Sequence, residues 1–328
     1  MTVRIAFIGD TLLGGEAQPV LDRLGYLYVL GGLAPLLADA DLVVANHEGP
    51  LTTASRPAEK LDFGRKRYWY RGRPEAARAL ATVGVNVVSL ANNHILDFGA
   101  EGLSDTIQAL ETAGIAHCGA GPDAAAARRA AVVTVGGVRL GFLSVMQRYE
   151  MYVQEGLYAS ATRPGPARLR ISHLRADLAA LNERVDLSVV LVHWGRNYRG
   201  LAARQQRLAG LLRDAGAGLI IGHHPHVAHP VRMLDGTPVA YSLGNAVLGT
   251  PGRFHSGRPP FGLVAMFELD GPRLVSCALR LLDVDNARVC FRPEPARGAE
   301  ATAFLRALVD PCLPATDGPA GCVTIPCR

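Results

Sequence analysis

The chain has 328 residues, a formal net charge of +5, 49% apolar and 19% charged residues, and 36 glycines. That apolar content excludes a disordered chain, and the glycines lack the every-third-residue period of collagen. Nearly all the positive charge is arginine, with Lys60 and Lys66 the only lysines. Acidic residues are interspersed with it, so no basic stripe of the kind that binds nucleic acid is visible.

Short β-rich apolar runs at residues 3–8, 42–45, 85–91, 140–145, 187–192, 219–221 and 239–243 read as buried strands. Amphipathic segments at 74–83, 102–113, 172–182 and 202–215 read as helices between them, the first with Pro74 in its first turn and the last closed by Gly216. After about residue 260 the alternation gives way to runs at 263–269, 274–281 and 288–291, which read as antiparallel strands. A helix at 299–309 comes next, then a Pro, Gly and Cys-containing tail from Asp310 expected to lie poorly structured or draped on the surface. The expectation is one α/β domain over 1–309 with two sheets, plus a tail at 310–328.

Six cysteines, Cys118, Cys277, Cys290, Cys312, Cys322 and Cys327, form no C-x-x-C pair, which argues against a disulfide framework. The N-terminus runs directly into a strand without a signal-peptide pattern, and no apolar stretch approaches a membrane span. The chain is therefore expected to be cytoplasmic, with reduced thiols and no membrane partner. Its oligomeric state is not legible.

The strand ends are more telling than the strands. They carry Gly9-Asp10, Asn46-His47-Glu48, Asn92-Asn93-His94, His193-Trp194-Gly195, His223-His224-Pro225-His226 and Asn245. In open α/β sheets ligands bind beyond the carboxyl ends of strands, so these groups converge on one rim. Any one of them alone is an ordinary turn or cap residue. Burying so many polar groups together without a ligand would incur a desolvation penalty at each, so a metal site is the better explanation. Imidazole, carboxylate and amide ligands suit Mn, Fe, Zn or Co more than Ca.

Two further segments are candidates for substrate contact. Residues 65–71 interleave cations with aromatics, and residues 147–158, with Arg148, Tyr149, Tyr152 and Tyr158, are long enough to cover the site. The ordinary alternative for both is a surface loop.

At these residues the chain resembles the CapA family, named for capsular poly-γ-glutamate synthesis, whose fold is similar to calcineurin-type metallophosphoesterases. The resemblance runs from about residue 3 to 249 and rests on Gly9-Asp10 with Leu13-Gly14, Asn46-x-Glu48, Ala91-Asn92-Asn93-His94-x-x-Asp97-x-Gly99, Gly119-Ala120-Gly121, His193-Trp194-Gly195, Gln206, His224-Pro225-His226-Val227 and Tyr241-Ser242-Leu243-Gly244-Asn245. It implies a four-layer α/β/β/α sandwich of the metallophosphoesterase type, with two mixed β-sheets flanked by helices.

It also implies two divalent ions, Mn, Zn or Fe. Asp10, Glu48 and His226 would hold one, and Glu48, Asn93, His193 and His224 the other, with Glu48 as the bridge. His94, oriented by Asp97, takes the place of the histidine beside the leaving group. Asn46 and Asn245 support the ligands or shape loops, and His223 is a neighbour. His47, Asn197, Arg148, Tyr149 and Asn245 are the expected substrate contacts. Three departures stand out: Leu12 where metallophosphoesterases place a His, Asn197 where the family commonly has Glu, and His47 where it has Leu.

The expected activity is metal-dependent hydrolysis, foremost of a phosphoester, on an anionic small-molecule or peptide-like substrate. Amide or γ-glutamyl chemistry at the same metals is the alternative, and a metal-stabilised accessory protein without turnover is the third reading.

Overall fold

The computed structural model describes residues 2–64, 66–250, 254, 259–311, 313–318 and 322–327; Arg65 and Cys312 lie outside them. The apolar runs assemble into two sheets. Strands β1 (Thr2–Leu12), β2 (Leu42–His47), β3 (Val85–Ser89) and β4 (Ala116–Cys118) lie side by side and parallel. Strands β5 (Ala131–Val135), β6 (Val138–Met146), β7 (Leu187–His193), β8 (Leu219–His223), β9 (Val231–Leu234) and β10 (Thr237–Ala240) form the second sheet in the order β9-β10-β8-β7-β6-β5. Within it β6, β7, β8 and β10 are parallel.

The chain then returns to the first sheet. β11 (Asn245–Leu248) lies parallel beside the end of β1. β12 (Phe261–Asp270), β13 (Arg273–Asp283), β14 (Thr316–Gly318) and β15 (Cys322–Pro326) extend the sheet antiparallel, in the order β12-β13-β15-β14 away from β1.

The two-residue period of a strand assigns the layers. Ile5 and Phe7 of β1 face the other sheet and meet Leu140, Phe142, Val189, Leu191 and Phe267 in a shared core. Phe7 and Phe267 stack edge to face at 5.7 Å. Ala6, Ile8, Val43 and Ala45 point the opposite way, against helices α1 (Glu75–Thr82) and α2 (Gly99–Thr112). On the outer face of the second sheet, Leu143, Val145, Val190 and Val192 pack under α3 (Ile171–Asn182) and α4 (Ala203–Asp214). The result is helices, sheet, sheet, helices: the expected four-layer order with two mixed sheets. Each large side chain buried in these layers contributes about 1.5–3 kcal/mol relative to exposure.

Two expectations need correction. Residues 288–291 are not a strand: Asn286–Val289 is a helical turn capped by the Asp285 side chain, and Cys290 and Phe291 come after it at φ 48° and 62°. The tail is not draped on the surface either, because β15 pairs with β13 and buries Val323 and Ile325 in the inter-sheet core. The alternation Val323, Ile325, Cys327 supplies that apolar face. The runs at 85–91 and 239–243 stop as strands at Ser89 and Ala240, and their remainders turn into the rim. Among the described residues no helix is long and apolar enough to cross a membrane.

Candidate metal centre

Parallel pairing places the C-terminal ends of the central strands at one edge, and register fixes which residues meet. Asp10 of β1 pairs with Asn46 of β2 on one side and Asn245 of β11 on the other, while His193 of β7 pairs with Met146 and His223. The β1 register shifts between Asp10 and Thr11, which turns the strand end outward from regular pairing. Gly9 makes this possible: a Cβ there would lie 2.1 Å from the Gly244 carbonyl oxygen, the group that accepts the Asp10 N–H at 2.8 Å.

Two sets of ligand atoms emerge. Those of Asp10, Glu48 and His226 lie within 4.8 Å of one another, and so do those of Glu48, His193 and His224. Glu48 belongs to both. Asp10 Oδ1 accepts from Asn46 Nδ2 at 2.8 Å, and Oδ2 accepts the His224 N–H at 3.2 Å. His226 Nδ1 faces Asn245 Oδ1 at 2.9 Å and Asp10 Oδ2 at 3.2 Å, with its Nε2 4.0 Å from Glu48 Oε1. His193 Nε2 meets Asn93 Oδ1 at 2.8 Å, and the His193 and His224 ring centroids are 4.5 Å apart. His224 and His226 flank Pro225 with φ of 96° and 58°. Left-handed backbone is costly for both, so the turn is held by its surroundings and aims both rings at the rim.

These groups fit a metal better than they fit each other. Glu48 is wholly buried and, among the described residues, neither of its oxygens has a hydrogen-bond partner; the Nδ1 atoms of His193 and His224 are likewise buried without one there. An unpaired buried carboxylate is strongly disfavoured, and a cation offsets that cost. Without one, burial pushes Glu48 up to about 8, aided by the Asp10 charge and opposed by His226. His226 resists its own burial because Glu48 and Asp10 are beside it, and rises to about 9. Burial and then the His226 charge bring His224 down to about 3, and burial with His224 nearby lowers His193 well below its usual value. Asp10 is opposed by burial, but the His223 and His226 imidazoles beside it hold it well below the usual carboxylate range. The donor set is thus imidazoles and carboxylates that bind divalent ions once His226 and Glu48 give up their protons.

Beside the clusters, Asp97 Oδ2 meets His94 Nδ1 at 2.7 Å, fixing the ring. Burial lowers His94, with Asp97 opposing. His94 and His226 line a cavity of about 260 Å³ together with Lys66, Tyr68, Tyr70, Asn197 and Tyr198. Tyr149 stands 5.7 Å from the His224 ring and donates its hydroxyl to the Gly195 carbonyl at 2.7 Å. Arg148 is exposed and paired with Glu150 at 2.5 Å.

Two expected substrate contacts lie elsewhere. Asn245 is buried behind His226, where it orients that ring. His47 is fully buried with neither ring nitrogen hydrogen-bonded among the described residues, and burial takes it down to about 4. It belongs to neither ligand set, because strand alternation sends its side chain away from the face that carries Asn46. Leu12 is buried in the core. His223 Nδ1 sits 3.5 Å from Asp10 Oδ1, outside both sets.

Sequence reasoning missed Lys60 and Tyr198. Lys60 meets Asp97 from 37 positions away, a distance that no local motif signals. Tyr198 lies 5.4 Å from His226, ring to ring, at φ 53°; its place just after His193-Trp194-Gly195-Arg196-Asn197 was the available hint.

The fold and rim together define an α/β/β/α sandwich with a buried His, Asp and Glu centre able to hold metal. The model of the "Bacterial capsule synthesis protein PGA_cap" family matches residues 4–250, and the chain belongs to that family. It is 31% identical over 249 residues to "Capsule biosynthesis protein CapA" of Bacillus anthracis, covering 74% of this chain and 59% of that one. It is 37% identical over 204 residues to a "Probable polyglutamine synthesis accessory protein" of Mycobacterium tuberculosis, covering 60% and 53%. The chain thus spans somewhat over half the length of these curated relatives. Among solved structures, the calcineurin-like phosphoesterase YfkN from Bacillus subtilis superposes with a TM-score of 0.49 at 11% identity, over 82% of this chain and 85% of that one.

Proposed function

We propose that the chain is a metal-dependent hydrolase that acts on a phosphoester of an anionic small molecule or biosynthetic intermediate, using two divalent ions of the Mn, Zn or Fe type. Glu48 carries this reading: a wholly buried carboxylate, shared by both ligand sets, with no hydrogen-bond partner for either oxygen among the described residues. Asp10 and His226 would complete one ion's set, and His193, His224 and Asn93 the other's. Held by these residues, such ions would polarise a phosphoryl oxygen and lower the pKa of a bound water.

The chain's own residues supply the rest. Asn46 and Asn245 hold Asp10 and His226 in place through the 2.8 and 2.9 Å contacts, as the supports of metal ligands do elsewhere. Asp97 occupies His94 Nδ1, so Nε2 is the nitrogen left for the cavity, where it would first take up a proton, the imidazolium being favoured by the Asp97 charge, and then pass it to the leaving oxygen. Tyr68, Tyr70 and Tyr198 wall the cavity and restrict water, and Lys66 and Glu16 place one charge of each sign on its lining.

The names of the relatives favour a second reading, cleavage or transfer at a γ-glutamyl amide. The same ligand sets serve it, since the ions would polarise an amide carbonyl instead.

Purified, Mn-supplemented protein assayed on chromogenic phosphomonoesters and phosphodiesters, and in parallel on γ-glutamyl amides, separates the two. Phosphoester turnover that disappears in His224→Ala supports the first reading. Amide turnover alone, lost in the same variant, supports the second. Full metal loading with turnover of neither contradicts both.

A further inference from the structure

Asp97 is a heavily engaged carboxylate beside the centre. Its Oδ2 takes both the His94 ring and the Tyr70 N–H, each at 2.7 Å. Its Oδ1 takes the Lys60 ammonium at 2.5 Å, and its backbone carbonyl takes the Ala58 N–H at 2.9 Å. Lys60 also donates to the Tyr68 carbonyl at 2.6 Å and sits 5.2 Å from the centre of the Trp69 ring. Trp69 in turn donates to the Ala58 carbonyl at 2.8 Å.

The stretches 58–64 and 66–70 therefore act as a strap fastened to Asp97 through Ala58, Lys60 and Tyr70. Tyr70, at its close, packs 4.3 Å from the His94 ring, and Tyr68 and Tyr70 wall the cavity. The side chains of Lys60 and Asp97 are 11% and 1% exposed. Among the described residues no other lysine or arginine nitrogen lies within 4.0 Å of the Asp97 carboxylate. A carboxylate this buried needs a cation, and without it the remaining hydrogen bonds must carry an uncompensated charge.

We propose that Lys60 is a positioning residue that locks the strap to the His94–Asp97 pair, so that the cavity wall and the aim of the His94 ring are set as one unit. The inference rests on the reading of His94 as proton donor only for its effect on rate; the coupling itself is a statement about geometry. Removing the ammonium frees Asp97 to rotate, releases Tyr70 from His94 and opens the cavity, while both ligand sets stay intact.

The test compares the Mn-loaded wild-type chain with Lys60→Met, Lys60→Gln and Lys60→Arg. Gln keeps a donor without the charge, giving a second neutral variant should Met accumulate poorly. Hydrogen exchange across 58–70 is expected to speed up at least tenfold in the neutral variants, with β7 and β8 and the bound Mn unchanged. By NMR in Mg-loaded protein, the His94 Nδ1 proton is expected to give a slowly exchanging signal in wild type, to broaden or vanish in the neutral variants and to return in Lys60→Arg. On a phosphodiester, kcat is expected to fall at least tenfold and to recover in the Arg variant. Absence of phosphodiester turnover by wild type would count against the phosphoester reading alone, with exchange and the proton signal still deciding the coupling. Unchanged strap exchange and an unchanged His94 signal in both neutral variants would overturn it.

Discussion

Replacing Glu48 with Gln separates a metal bridge from a structural carboxylate, because the two roles predict opposite signs. In chelator-treated protein the Glu48 carboxyl titrates near 8, against 4.5 for an unperturbed glutamate. Its folded pKa is raised, so its contribution is fully present below pH 4.5 and is lost as pH climbs toward 8. At about 1.4 kcal/mol per pH unit, the accumulated loss is about 3 kcal/mol at pH 7 and about 5 kcal/mol above pH 8. The attraction of the His226 cation is already contained in the value of about 8. Glu48→Gln has the same shape and no such titration. The metal-free variant should therefore melt above metal-free wild type by up to about 4 °C at pH 7 for a chain of this length, and the gap should widen toward pH 8. Added Mn should reverse the order: a ligand at about 100 times its Kd stabilises by about 2.7 kcal/mol, and the variant loses the group common to both sets. Thermal scans from pH 5 to 9, with chelator and with Mn, read both effects. Parallel pH curves for the two proteins, or an equal Mn gain, would refute the reasoning.

Four further outcomes are expected from the same geometry. Asn46→Ala, which removes the 2.8 Å support of Asp10, should weaken metal affinity about tenfold or more without unfolding the protein, as a competition titration with a chelating dye would show. Gly9→Ala puts a Cβ 2.1 Å from the Gly244 oxygen; it should cost well over about 1 kcal/mol and reduce soluble yield, measurable by urea unfolding. His94→Asn should retain Mn yet lose about 100-fold or more in kcat on phosphodiesters; loss of Mn instead would move His94 into the ligand set. Because Glu48 and His226 titrate near 8 and 9, loading Mn at pH 7 should release at least one proton, visible by calorimetry in two buffers of different ionisation enthalpy.

Much of this centre was legible because a parallel sheet converts sequence position into spatial position. An apolar run that ends in Asp, Asn-x-Glu or Asn-Asn-His places those groups on one rim whatever the intervening loops do, and Asp10, Glu48, His193, His224 and His226 do meet there. The features that stayed hidden depend on contacts between distant segments. Lys60 reaches Asp97 through the strap's folding, not through any spacing. The tail strand β15 is stabilised by a register with β13, while its local composition, with Pro326 and two cysteines nearby, gives a weak strand signal. At 288–291 the Asp285 cap and the two left-handed residues prevailed over the apolar character of Val289 and Phe291. His47 shows the limit of reading a strand end residue by residue: it adjoins Asn46 and Glu48, yet alternation turns it from the ligand face.

Anomalous diffraction from Mn-loaded crystals tests the central claim most directly. The account predicts two peaks flanking the Glu48 carboxylate, one beside Asp10 and His226 and the other beside His193 and His224, with the second lost in His224→Ala. Crystals that show no peak at Glu48 after loading, or Mn bound only at surface carboxylates, would contradict it.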